Sequence, residues 1–380
     1  MDRTKNQANI NIFFTLVRIG LWADVETSDL GIQGFTESVD WEGVYQLAEE
    51  QSVIGVVLAG IEHSNVKPPK ELLLQWIGEV QILEQQNKSM NQFIGDLIKK
   101  MRTADIYTLL VKGQGLAQCY DQPLWRACGD VDLLLSDTNY NKAKLFLAPK
   151  STSTISELKK EKHIAYIIDG WCVELHGNLP SRLFKSIDRV IVELERGIFY
   201  GGQVKSLMMN NTEVFTPAPD LDVLFVFTHL LKHFFRGGVG FRQICDWCRL
   251  LWTYRDCLKH GQLESRIQRA GLMSEWKTFA ALVVNYLGMP AEAMPFYSAS
   301  AKWKRKASKV VPLILKSGNF GNKRDKSYYS KYPYLLWKTI SLWNHTRECL
   351  MYMRVFPVDA VKIWGLKFSE GFVELFQKEE

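Results

Sequence analysis

Asp130 and Asp132 stand two residues apart in Gly129-Asp-Val-Asp-Leu-Leu-Leu135. On a strand such residues leave the same face, so the two carboxylates project together while Val131 and Leu133 turn toward a core. Carboxylates forced together repel, and the pair suits a hard divalent cation that accepts carboxylate oxygens and nucleotide phosphates alike. Upstream, Leu109-Leu-Val-Lys-Gly-Gln-Gly-Leu-Ala-Gln-Cys-Tyr120 supplies a short apolar strand, a turn over Lys112–Gly115 and a helix start from Leu116. Backbone N–H groups at a helix start can hold phosphate, with Gly113 and Gly115 in the turn and Lys112 adding a point charge. A Gly-x-Gly turn alone is weak evidence for this. Arg126 is a second cation expected to reach a triphosphate.

A third carboxylate follows a hairpin signal. Ile164–Ile168 and Trp171–His176 flank Asp169-Gly170, the turn chemistry of a two-residue hairpin. The register then pairs Ile168 with Trp171, Ala165 with Glu174 and His163 with His176. His163, Ala165, Ile167, Cys172, Glu174 and His176 share one side, and small Ala165 leaves space beside Glu174. Glu174 is expected to join Asp130 and Asp132, with His176 close enough to orient it. An isolated Asp-x-Asp usually marks a solvated strand edge; the turn and Glu174 together argue for a site.

The set Lys112-Gly113, Tyr120, Arg126, Gly129-Asp130-x-Asp132 and Val173-Glu174-Leu-His176 resembles the poorly characterised bacterial nucleotidyltransferase-like family of the DNA polymerase β superfold. Phe13-Phe-x-Leu-Val-Arg-x-Gly-Leu-Trp22, Asp40-Trp41, Leu230-Leu-Lys-His233 and Cys245-Asp246-Trp247 extend the resemblance over most of the chain. Where the superfold usually has Gly-Ser or Gly-Gly, this chain has Gly113-Gln114, and the gap to the aspartates is longer than the commonest form.

The resemblance implies metal-dependent transfer of a nucleoside monophosphate from a nucleoside triphosphate to a hydroxyl of a small molecule, a protein or an RNA. Asp130, Asp132 and Glu174 would hold Mg²⁺ or Mn²⁺, Glu174 serving as ligand first and base second. The alternative is a non-catalytic nucleotide-binding sensor or assembly factor that retains the fold, since function resides in the site.

A chain of 380 residues suggests two or three packed units. No apolar run is long enough for a transmembrane segment: Leu221–Phe235 is interrupted by Asp222, His229, Lys232 and His233. Met1-Asp-Arg-Thr-Lys-Asn-Gln lacks a signal-peptide pattern. Seven scattered cysteines give no disulfide framework, so a cytoplasmic location is expected. Cys245-Asp-Trp-Cys248 has zinc-like spacing without a second pair, and reads as a buried helix face.

Apolar residues at three- and four-residue spacings predict helices over Asn11–Trp22, Trp41–Ser52 and Lys70–Lys99, while Ser52–Leu58 fits helix or strand. Asp220 is expected to cap a helix running to Phe235. Asp222, His229 and His233 share a face of it; the histidines border the cleft and contact phosphate or acceptor, ligate a metal, or bond structurally to a partner such as Asp246. Segment 301–330 is markedly basic. Lys302, Lys304, Arg305, Lys306, Lys309, Lys316, Lys323, Arg324 and Lys326 face only Asp325, with Trp303, Phe320, Tyr328 and Tyr329 interleaved and Tyr332 and Tyr334 just beyond. It suits RNA, an anionic surface, or plain solvation as a linker. The expected fold is α+β: a helical N-terminal region (1–95), a polymerase β-like nucleotidyltransferase core with a small mixed sheet (96–218), and a helical C-terminal region (219–380).

Overall fold

The computed structural model describes residues 3–22, 39–158, 162–179, 181, 183–321, 331 and 333–376. The chain opens with helices α1 (Arg3–Leu21), α2 (Trp41–Glu50), α3 (Ile54–Glu62) and α4 (Lys70–Thr103). Asp40 caps α2 by accepting from Gly43 N at 3.1 Å. The ambiguous Ser52–Leu58 stretch enters α3, buried so nearly all round that neither period shows. Helices α1 and α3 cross backbone to backbone: a Cβ on Gly20 would lie 1.9 Å from the Val56 carbonyl oxygen, and one on Gly60 2.0 Å from that of Leu16. Helix α4, roughly 50 Å long, runs unbroken past residue 95 and carries Met90, Ile94, Leu97, Ile98 and Met101 into a core beneath the sheet.

Strand β1 (Leu109–Val111), helix α5 (Gly113–Ala117), strand β2 (Asp130–Leu134), helix α6 (Asp137–Leu147), strands β3 (Ser153–Leu158), β4 (His163–Ile168) and β5 (Trp171–His176), helix α7 (Lys185–Phe199) and strands β6 (Val204–Met209) and β7 (Thr212–Pro217) follow. They form one mixed sheet of order β3-β4-β5-β2-β1-β7-β6. The β4–β5 hairpin has the expected register, Ile168 opposite Trp171, Ala165 opposite Glu174 and His163 opposite His176. Asp169 and Gly170 both take positive φ, as a tight hairpin turn demands.

The two sheet faces differ. Val131, Leu133, Val173 and Leu175 pack with α4 and α6. The opposite face turns its side chains toward α8 (Pro219–Arg236) and α9 (Phe241–Thr253), followed by α10 (His260–Ala270), α11 (Met273–Leu287), α12 (Ala301–Ser317), α13 (Tyr334–Met353) and α14 (Pro357–Phe376), several of which share a core with α1–α3. Ala218, not Asp220, occupies the N-cap of α8, because Pro219 takes the first helical position and Asp220 Oδ1 instead accepts from Lys259 N at 2.7 Å. Cys245 and Cys248 are fully buried on α9. The basic segment is no linker over 301–317: α12 buries Ala307, Val310, Val311 and Ile314 and turns Lys302, Lys304, Arg305 and Lys309 to solvent. Lys323, Arg324, Asp325, Lys326, Tyr328, Tyr329 and Tyr332 lie outside the described residues. Among the described residues no helix is long and apolar enough to cross a membrane.

Two buried carboxyls make stability depend on pH. Burial raises Asp222 to about 6, opposed by nearby Lys205. Burial, then a hydrogen bond with Asp359, raises Glu275 to about 8, with Lys306 opposing. Between the unfolded and folded values the native state binds more protons, so stability is full below about pH 4 for these groups and falls as pH rises through 6 and 8. Asp222 alone would forfeit at most about 3 kcal/mol by this linkage. Melting temperatures at pH 5, 7 and 9 should therefore fall less for Asp222→Asn and Glu275→Gln than for wild type.

Candidate active site

Strand register assembles the site in rows. Val111, Asp132, Glu174 and Ala165 are successive cross-strand partners on β1, β2, β5 and β4. In the next row His176 faces His163, and in the preceding one Asp130 faces Cys172. Because β2 and β5 run parallel with Asp132 opposite Glu174, Asp130, Asp132, Glu174 and His176 all leave the face turned toward α8. Ala165, 3 % exposed, is the small neighbour beside Glu174.

The carboxylates are held by cations and imidazoles. Lys112 Nζ and His176 Nε2 each lie 2.7 Å from Asp132 Oδ1. His163 Nε2 is 3.1 Å and His176 Nε2 3.5 Å from Glu174 Oε2. The two imidazoles stack with centroids 4.8 Å apart. Burial works to raise Asp132, but Lys112 and His176 overcome it and hold the carboxyl below its usual range. Burial likewise opposes ionisation of Glu174, and the hydrogen bonds with His163 and His176 win. Asp130 is different. Burial and the repulsion of Asp132 raise its carboxyl, and Lys112 compensates only in part.

Helix α8 forms the facing wall. His229 and His233 approach each other at 3.0 Å through Nε2. Burial, then the charge of Lys112, pushes both down, His233 to about 4, so both are neutral at pH 7. Together with Lys112, Asp130, His163, Glu174 and His176 they line a cleft of about 260 Å³, closed on one side by Asn178, Leu179 and Ser181. That side is tied down where Asp188 Oδ1 accepts from both the backbone and the hydroxyl of Ser181 at 2.8 Å.

The glycine turn departs from expectation. Lys112 itself takes φ +58° and Gly113 φ +41°, so the reversal is complete within two residues and the helix starts at Gly113. A side chain on Gly113 would sit strained and 3.2 Å from Cys128 Sγ. Gly115 is buried against Thr216 and Leu110, which makes it a packing glycine. Gln114 turns away from the cleft and donates to Asn87 Oδ1 at 2.6 Å. Asn87, on α4, donates in turn to the carbonyls of Leu124 and Arg126 at 2.7 and 2.9 Å, so one residue anchors both the turn and the loop before β2.

Arg126, expected from the sequence to reach a triphosphate, is paired with a buried carboxylate. Its Nε and Nη2 donate to Asp246 Oδ1 and Oδ2 at 3.0 and 2.6 Å, and Tyr120 Oη donates to Oδ1 at 2.8 Å. Asp246 therefore partners Arg126 and Tyr120, not a histidine of α8. Of the Arg126 nitrogens, Nη1 has no hydrogen-bond partner among the described residues. Arg126 lines a smaller cleft of about 50 Å³ with Lys112, Gly113, Asp130, Asp132 and Arg242.

Residues 37–288 match the sequence model of the family described as uncharacterised nucleotidyltransferase. The chain belongs to this family. Membership accounts for the resemblance carried by the Lys112-Gly113, Asp130-x-Asp132 and Glu174-Leu-His176 groups, and supports a general nucleotidyl-transfer role. No curated protein matches the chain in sequence. An antigenic nucleotidyltransferase-like protein from Paracoccidioides brasiliensis is similar in structure, at 15% identity and a TM-score of 0.34, over 56% of this chain and 94% of that one.

The donor set fits the divalent metal that the family implies. Three carboxylates leave one sheet face, and the Asp130 carboxyl is raised by burial first and by the charge of Asp132 second, with Lys112 opposing. The sequence placed His163 on the correct side but gave it no role, although the hairpin register already set it beside His176. Asn178, Ser181 and Phe225 at the cleft carried no sequence signal.

Proposed function

We propose that the protein transfers a nucleoside monophosphate from a nucleoside triphosphate to a hydroxyl of a small molecule, a protein or an RNA. The observation behind this is the row in which Asp132 and Glu174 are direct cross-strand partners, with Asp130 on the same face and a cleft in front of them. Asp130, Asp132 and Glu174 would hold Mg²⁺ or Mn²⁺, which when bound polarises the α-phosphate and lowers the pKa of an acceptor hydroxyl. Lys112 exchanges its contact with Asp132 for one with phosphate, and the free N–H groups after Gly113 orient it. Gly115 keeps the turn packed, and Arg126 positions the loop that leads into β2. His229 and His233, both neutral, offer an imidazole nitrogen to the acceptor hydroxyl, whereas His176 orients the carboxylates.

The experiment is incubation of the protein with each α-³²P-labelled nucleoside triphosphate, Mg²⁺ or Mn²⁺ and a crude cell extract, beside the Asp130→Asn/Asp132→Asn variant. Label entering an RNA, protein or small-molecule fraction with wild type only is the expected result and identifies the acceptor class. Binding of nucleotide without transfer of label under any condition would favour the non-catalytic sensor. The geometry that favours that second reading is Asp132 already neutralised by Lys112 and His176.

A further inference from the structure

We infer that His163, His176 and Glu174 form a mixed nitrogen–oxygen metal site at the cleft, selective for a transition cation of the Zn²⁺ class over Mg²⁺. Its use in catalysis rests on the transferase reading above; its existence does not. The two Nε2 atoms converge on one oxygen, Glu174 Oε2, at 3.1 and 3.5 Å. Neighbouring donors of a tetrahedral zinc ion stand about 3.4 Å apart, given metal–ligand distances near 2.1 Å, so the two observed separations bracket the edge of such a site. One donor atom from each of the three residues lies within 4.8 Å of the others. The two rings stack at 4.8 Å between centroids, which keeps His163 and His176 side by side against Glu174.

Asp132 Oδ1 lies 2.7 Å from His176 Nε2, a hydrogen bond that holds the ring in place beside Glu174. All three principal residues line the cleft and are partly exposed, so an ion can enter and water can complete its shell. Imidazole nitrogen suits Zn²⁺ and Co²⁺, whereas Mg²⁺ prefers an octahedron of oxygens. Asp130 stands outside this set, in the row beyond Glu174 and opposite Cys172. Glu174 would be shared between this ion and one held by the aspartates.

Metal-free protein titrated with Co²⁺ and followed by visible absorption tests the inference. The expected result is saturation at one equivalent, displacement by Zn²⁺, and no displacement by a large excess of Mg²⁺. His163→Ala and His163→Gln should each weaken Co²⁺ binding about tenfold or more, with the circular dichroism of the wild type. Asp130→Asn should bind Co²⁺ as wild type does while losing transfer. Displacement of Co²⁺ by Mg²⁺ at similar concentrations, or full affinity in a folded His163 variant, overturns the site. Should both variants unfold, the Mg²⁺ competition on wild type decides. Absence of nucleotide transfer with Co²⁺ binding intact would remove the transferase reading and leave this one standing.

Discussion

Asp130→Asn should abolish nucleotide transfer and yet leave the protein as stable as wild type, or more so. Both halves have one cause. The Asp130 carboxylate is largely buried, burial and the neighbouring Asp132 raise its carboxyl, and among the described residues no side chain donates a hydrogen bond to it. In the folded protein without metal, its charge is therefore a net liability that an isosteric amide relieves. Relief of one such group is commonly worth about 0.5–2 kcal/mol, or a few degrees in melting temperature. The same substitution removes one of three anionic oxygen donors, and activity should fall by a factor of at least about 10³, the loss of roughly 4 kcal/mol of transition-state stabilisation. Asp132→Asn should separate from it. That substitution also ends transfer, but Lys112 and His176 lose the anion they both face, so it should lower the melting temperature. Parallel thermal melts and label-transfer assays on the two variants check this. If Asp130→Asn retained transfer, the carboxylate would not be a ligand; if it melted well below wild type, its charge would be satisfied by a contact that matters to the fold.

What was legible in the sequence was mostly local. Asp169-Gly170 fixed the β4–β5 turn, the turn fixed the register, and the register placed Glu174 opposite Ala165 and His176 opposite His163. The two-residue spacing of Asp130 and Asp132 put them on one face, because strand periodicity leaves no other choice. Long-range pairing was not legible. Strand β1 meets β7 through Leu109 and Phe215, and nothing near either residue announces the other. The β6–β7 hairpin did carry a signal, Asn210-Asn211, whose positive φ angles make the turn. The left-handed backbone at Lys112 had none, since a lysine is not the residue that conformation favours, and so the helix start lay at Gly113. Strain of that kind, at a residue that lines the cleft, belongs with the positioning of the Lys112 ammonium against Asp132. His229 and His233 show the same division: their shared helix face followed from spacing, but that the face closes the cleft opposite Glu174 depended on how α8 packs across the sheet.

Asp246→Ala should be among the most destabilising single substitutions in the molecule, at about 3–5 kcal/mol. Asp246 and Arg126 are both almost fully buried and joined by two hydrogen bonds, with Tyr120 donating a third. Truncating the acid leaves a buried guanidinium that cannot shed its proton, beside Arg242, whose own guanidinium burial and the Arg126 charge already disfavour. The damage should spread to the active site, because Arg242 Nη1 donates to the Ala127 carbonyl at 2.8 Å and Asn87 holds that of Arg126, so the loop entering β2 at Asp130 hangs on this cluster. Replacing both partners by apolar residues of similar size removes the buried charge along with its counterion, and the Arg126→Met/Asp246→Leu variant should regain much of the lost stability. Recovery should stop short of wild type, since the Tyr120 hydroxyl loses its acceptor. Urea unfolding of the two single variants and the double one measures the coupling directly. Nucleotide affinity of the double variant then separates the two roles of Arg126. Affinity near that of wild type means that the arginine serves the fold through Asp246, whereas a large loss in a protein that has recovered its stability would return Arg126 to the phosphates through its unpartnered Nη1.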